Sequence, residues 1–456
     1  MNAAHGVSDK LSRIGGLSFD GTTVATYTYY GLGTAVKVLY DDVTVAWDLI
    51  TGSGANPYAG LDRFGRVIDN LWRETINSVD LDRIKYDYDR ASNRIWRENP
   101  VAKAQTTPQY YDELYAYDGA YRLVTMQRGQ LAGSPPSSIT NKRFAQAWPL
   151  LDPSGNWSEF TEDTNGNGTN DLDQDRTANT VNEITAITNT IGAAWKQPGY
   201  DAAGNMTSLP QPLVPTAGYL ATYDAWHRLV KLRTDVAAPV TVAEYAYDGI
   251  TRRTVKKPYA NGALSETRHY YYCAAWQVLE ERIDAATTYA RQYVWGLRYI
   301  DDCVLRDLDS SGDKTRVYIL QDANWNVTAI TQGGLVGERY AYSPYGQPSF
   351  LYPDFTSKAT PGEFEWDILY AGYKWDAESG LFQVRFRYLH PTLGGWVTRD
   401  RALYFDGTNS YKYAQCCPIS LTDSLGLAAV SDTEKQLLQK HCKCGLANLS
   451  EKYKDV

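Results

Sequence analysis

Apolar and polar residues alternate with a period of two in short runs along most of the chain. In Trp325-Asn-Val-Thr-Ala-Ile-Thr331, Trp325, Val327 and Ala329 share one face; Asn326, Thr328 and Ile330 share the other. Glu244-Tyr-Ala-Tyr-Asp248 and Arg316-Val-Tyr-Ile-Leu320 read the same way, and strands begin early, at Val24–Tyr30 and Val36–Tyr40. Such mixed faces suit a sheet covered on one side and partly open on the other. Helical periodicity is confined to the end of the chain. There Asp432 as N-cap, Glu434, Leu437, Leu438 and Leu446 predict a short helix.

Between the strands a phrase returns: Tyr-Asp, two or three small or variable residues, Gly or Asn, then often Arg and an aliphatic residue. Residues 117–123, 200–206 and 223–229 carry it clearly. Looser copies lie at Tyr86–Ile95, Leu61–Val67, Leu151–Trp157, Tyr247–Arg253, Gln321–Val327 and Tyr342–Gln347. Copies roughly 20–30 residues apart make a hairpin the repeating unit. The Asp can accept from amides two residues on, and the Gly or Asn can take a positive φ. These Tyr and Asp residues are therefore expected to build scaffold. Three stretches stand apart. Residues 134–140 read as a loop, 161–182 as a polar insertion, and 207–218 as a Pro-rich connection over the surface.

Composition agrees with strands and turns: 36 Tyr, 13 Trp and 36 Gly against 3 Met in 456 residues. The net charge of −8 argues against nucleic acid as a partner. No run approaches the ~20 apolar residues of a membrane span. The first residues lack the order of a signal peptide, and the chain reads as though it starts within a longer array. Six Cys are too unevenly placed for a disulfide framework, and Cys442-Lys-Cys444 is too tight for a usual zinc knuckle. His clusters, HExxH, GxSxG and phosphate-binding Gly loops are absent, so small-molecule catalysis is not expected.

Asp163-Thr-Asn-Gly-Asn-Gly-Thr-Asn-Asp171 resembles a calcium loop. Asp163, Asn165, Asn167, Thr169 and Asp171 fall at alternate positions, with Gly168 at the turn. Calcium is the only cofactor the residues suggest, and a solvated Asx-rich loop is the alternative. Asp307-Leu-Asp-Ser-Ser-Gly-Asp313 is a looser version.

The repeat phrase, over roughly residues 20–427, resembles the RHS/YD-repeat family, which includes Tc toxin C components, polymorphic RHS toxins and teneurins. The resemblance implies an all-β protein whose long antiparallel sheet spirals into a partial hollow shell. Strands and turns alone would equally permit a propeller or an open solenoid. Residues 1–360 form the repeat array on this reading. Residues 361–427 resemble the RHS-associated core domain: Asp376-Ala-Glu-Ser-Gly-Leu381, Arg387-Tyr-Leu-His-Pro391, Gly394-Gly-Trp396, Asn409-Ser-Tyr-Lys-Tyr413 and Asp423-Ser-Leu-Gly-Leu427 follow in the family's order.

In many members that domain is an aspartyl autoprotease that frees a C-terminal cargo inside the shell. Carried over by motif, Asp400 and Asp423 are the catalytic pair, cleavage follows Leu427, and residues 428–456 are a truncated cargo tail. The family's prolines after both aspartates are replaced here by Arg401 and Ser424, and His390 stands where Asp is usual. The implied function is encapsulation, with the chain's own tail or neighbouring repeats as partners and a secreted or cell-surface location. The alternative is an adhesion or carbohydrate-binding array.

Overall fold

The computed structural model describes residues 2–5, 13–31, 33–42, 45–50, 58–310, 313–359, 362, 364–404 and 407–431. The expected C-terminal helix and Cys442-Lys-Cys444 lie outside them. Among the described residues the fold is almost wholly antiparallel β-structure. A 14-stranded sheet runs from Asn2–His5 to Ile184–Ile191, and a 16-stranded sheet from Gly199–Tyr200 to Ser357–Lys358. Neither closes into a barrel. Each strand pairs with the next in sequence; only Ala263–Leu264 branches off the path. Hairpin after hairpin is what a repeated strand–turn unit produces. One short helix, Pro100–Lys103, interrupts the first sheet, capped by Asn99 with Pro at its first position.

The repeated phrase is a three-way staple. At Asp118, one carboxylate oxygen accepts from the amides of Ala120 and Arg122, each at 2.9 Å, and the other from Arg122 Nε at 2.7 Å. Arg122 Nη1 reaches forward to the carbonyl of Asp152 in the next turn. Tyr117 reaches back, its hydroxyl donating to the carbonyl of Arg94 at 2.7 Å. The turn at Asp224 repeats this through Arg228, Asp248, Tyr223 and Met206. So each hairpin is tied to both neighbours through its turn.

The positive φ falls on the residue before the Arg or Asn. It is Gly at 65, 155 and 204 but Tyr121, His227, Thr251 and Trp325 elsewhere. Asn is thus not the left-handed residue of these turns. Asn156, Asn205 and Asn326 replace the Arg and donate Nδ2 to the Asp carboxylate.

Two expected interruptions prove to be part of the ladder. Residues 161–182 include parts of the paired strands Glu159–Asp163 and Leu172–Ala178. The supposed surface connection at 207–218 begins inside strand Met206–Pro210, whose Leu209 is fully buried.

The main core joins three parts of the chain. Phe160 comes from the first sheet and Trp148 and Trp157 from the turn before its strand; Leu209, Leu232 and Tyr293 come from the second; Tyr370, Phe382, Leu389, Trp396 and Tyr413 come from residues 369–413. A second core packs Val36, Tyr40 and Trp72 of the first sheet on Leu305, Tyr318 and Ala329 of the second. The C-terminal segment therefore occupies the space between the two sheets, built on a small sheet from Lys374–Asp376 to Gly395–Trp396.

Candidate functional site

The site sits where this small sheet meets the turns at Asp400 and Asp423. Strand Arg387–His390 pairs with Leu381–Val384 on one side and Gly395–Trp396 on the other. That pairing fixes Arg387 at the inner end of its strand, 4% exposed, with its guanidinium 4.2 Å from the Trp396 ring centre. Asp400 begins a turn: its backbone carbonyl accepts from Leu403 and its carboxylate from the amide of Ala402 at 2.7 Å. Asp423 begins another. One carboxylate oxygen accepts from the amides of Gly426 at 2.8 Å and Leu427 at 2.9 Å.

Both aspartates reach the same nitrogen. Arg387 Nη2 lies 2.8 Å from Asp400 Oδ2 and 3.3 Å from Asp423 Oδ2. The remaining donors of Arg387 go to the carbonyls of Ser410 and Gly426. The structure thus brings Asp400 and Asp423 onto one guanidinium, with the Leu427 amide held by Asp423. Burial pushes the Asp423 carboxyl above the usual carboxylate range; Arg387 and the amides of Leu427, Ala428 and Gly426 pull the other way. The Ala428 amide is the nitrogen of the peptide expected to break.

Sequence reading passed over Arg387 because its motif was matched as a strand, not weighed for charge. The signal was available: an Arg at the start of an apolar strand needs a partner when buried.

The departures from the family pattern have local roles. Arg401 donates to Thr251 Oγ1 at 3.3 Å and to the carbonyl of Trp226, tying the segment to two turns of the second sheet. The Ser424 carbonyl accepts from Arg385, itself paired with Asp301. His390 is fully buried. Its Nε2 faces the carbonyl of Pro210 at 2.9 Å, and its Nδ1 accepts from the amide of Leu393. Burial lowers its pKa to about 4, which leaves it a neutral latch on strand Met206–Pro210.

The candidate calcium loop is closed by its own hydrogen bonds. The Asp163 oxygens accept from the amides of Gly166 and Gly168, and Asp171 Oδ2 from Thr164. Asn165 and Asn167 cap the amides of Asn167 and Thr169, so Thr169 enters as a donor. Among the described residues no group of three or more His, Cys, Asp or Glu is placed to hold a metal ion. The looser stretch starting at Asp307 is not a loop there: Asp307 lies in strand Cys303–Ser310 and takes both oxygens to Arg316 across the hairpin.

No family model matches the chain. The tRNA3(Ser)-specific nuclease WapA of Bacillus spizizenii is 27% identical over 275 residues, 59% of this chain and 11% of that protein. The probable deoxyribonuclease RhsB of Dickeya dadantii is 26% identical over 240 residues, 52% of this chain and 14% of that protein. The crystal structure of TcdB2-TccC3-TEV superposes on 91% of the chain, and on 20% of its own, at a TM-score of 0.66 and 19% identity. The chain is similar in sequence to RHS-type toxins, and its antiparallel sheets share the β-shell fold of the Tc toxin structure. It spans a small part of the length of these RHS relatives.

Proposed function

We propose that this RHS chain is a wall segment and closing piece of an encapsulating shell, and that it cleaves its own backbone after Leu427. The observation that carries the reading is the guanidinium of Arg387 set between Asp400 and Asp423, beside the Leu427–Ala428 peptide. Asp400 takes a proton from the attacking water. The water oxygen bonds to the Leu427 carbonyl carbon. As the carbon–nitrogen bond breaks, Asp423 delivers its proton to the Ala428 nitrogen, leaving a new carboxylate and a free amine. Arg387 is a positioning residue: it holds both carboxyls in register and balances the charge that builds as water adds.

What supports Asp423 as the acid is its burial, which raises its carboxyl above the usual range, and its place beside the Ala428 nitrogen. The tail from Ala428 onward is the released segment, and the shell serves a secreted or surface-bound toxin-type protein. Intact-mass measurement of the purified chain tests the proposal. A species ending at Leu427 in the parent, with Asp423→Asn remaining full-length, supports it. Equal cleavage in the two proteins removes Asp423 from the chemistry.

A further inference from the structure

The two large sheets meet at a seam between Ile191 and Gly199, and the repeating staple fails there. In other copies the Tyr hydroxyl donates to a carbonyl of the preceding turn: Tyr117 to Arg94, Tyr223 to Met206, Tyr247 to Leu229. At the seam Tyr200 accepts instead, from the amide of Ile184 at 3.2 Å. Among the described residues its own hydroxyl hydrogen meets no acceptor.

The same place holds an uncompensated charge. Arg176, 6% exposed, lies against the rings of Trp157, Phe160 and Trp195. Its Nε donates to Gln174 at 2.6 Å and its Nη1 to the carbonyl of Leu393 at 3.0 Å, but Nη2 has no partner. No carboxylate pairs with it among the described residues. The nearby acid, Glu183, is taken by Arg399 at 2.6 Å. The buried ion pairs of this chain show what is missing: Arg253 has Asp376 and Arg128 has Glu113. Ring contacts offset part of the burial cost, yet a buried N–H left without an acceptor still counts against the fold.

Arg176 and Tyr200 line one cavity of about 50 Å³, with Asn182, Trp396, Tyr411 and Lys412 around it. A water needs only about 10–15 Å³ by this measure, so the space suits a group of four or five heavy atoms. We propose that this seam cavity is a binding site for a small oxyanion, a carboxylate or phosphate group, held by the Arg176 guanidinium and the Tyr200 hydroxyl. The ligand would complete the ion pair and the staple that the chain leaves open, and so lock the two sheets together.

Titration calorimetry on the full chain, at constant ionic strength in chloride, tests this with sodium acetate and sodium phosphate as probes. Saturable binding of one anion per chain is expected. Preference for acetate points to a carboxylate-bearing ligand, and preference for phosphate to a phosphorylated one. Tyr200→Phe, which keeps the ring, should weaken binding at least about five-fold, the worth of one hydrogen bond. Arg176→Gln should abolish it while circular dichroism remains that of the parent. If Arg176→Gln misfolds, Tyr200→Phe alone decides. Absence of saturable heat with either anion, or undiminished binding by Tyr200→Phe, overturns the proposal.

Discussion

Tyr121 occupies the left-handed position of its turn, at φ 62°, where other copies of the phrase place Gly. An L-residue with a Cβ loses roughly 1–2 kcal/mol in that conformation. The Tyr121 ring is 57% exposed, so little packing offsets the loss. Tyr121→Gly is therefore expected to stabilise the protein by about 1 kcal/mol, after Gly's greater unfolded freedom is subtracted. A rise in the thermal midpoint checks it. The turn aspartates carry a second prediction. Burial raises the pKa values of Asp118, Asp224 and Asp248, but the amide and Arg hydrogen bonds outweigh it and hold them below the usual value. Their contribution is full above the unfolded pKa near 4 and is lost as pH falls through the lower folded values. The thermal midpoint should drop steeply below about pH 4, and less steeply in a variant with Asp118, Asp224 and Asp248 all changed to Asn. The turn role of these aspartates was legible in the sequence because Asx chemistry is local. The role of Arg387 was not, because its two partners lie 13 and 36 residues away along the chain.

At the scale of elements, the turn 423–427 leads into the peptide proposed to break. Gly426 has φ +73°, and a Cβ there would stand 2.9 Å from the carbonyl of Val384 and 3.3 Å from Arg387. Gly426→Ala should displace the turn and slow cleavage at least ten-fold, since it disturbs a bond to the Arg that holds both carboxyls, about 1.4 kcal/mol of positioning. A time course of intact mass reads that rate. Strands were legible from their period of two, and hairpins from the spacing of the phrase. Strand Met206–Pro210 was not. The prolines of 207–218 signalled a surface connection, yet Pro210 ends the strand and offers its carbonyl to buried His390, a partner 180 residues on. The reading of 161–182 failed for a related reason. Its polar strands are joined by an Asx-rich loop, and polarity hid the pairing of Glu159–Asp163 with Leu172–Ala178.

For the whole molecule, the C-terminal segment holds the two sheets together from within. Asp376, buried, takes both Arg253 and Lys256 of the second sheet; Lys374 joins Glu281 and Asp367. Asp376→Ala would leave buried Arg253 without its carboxylate and Lys256 with Glu378 alone, and should destabilise the protein by about 3–5 kcal/mol, seen as a lowered denaturation midpoint. The same segment carries Arg387, Asp400 and Asp423, so the piece packed between the sheets and the proposed site of cleavage are one structure. Residues that let it fold are the residues that set the geometry of the bond it is proposed to break. N-terminal sequencing of the purified protein tests that union most directly. The account predicts a second N-terminus reading Ala-Ala-Val-Ser, which begins at Ala428 and disappears in Asp400→Asn and Asp423→Asn proteins that retain the parent's thermal midpoint. A single N-terminus at the start of the chain, from correctly folded parent protein, would contradict it.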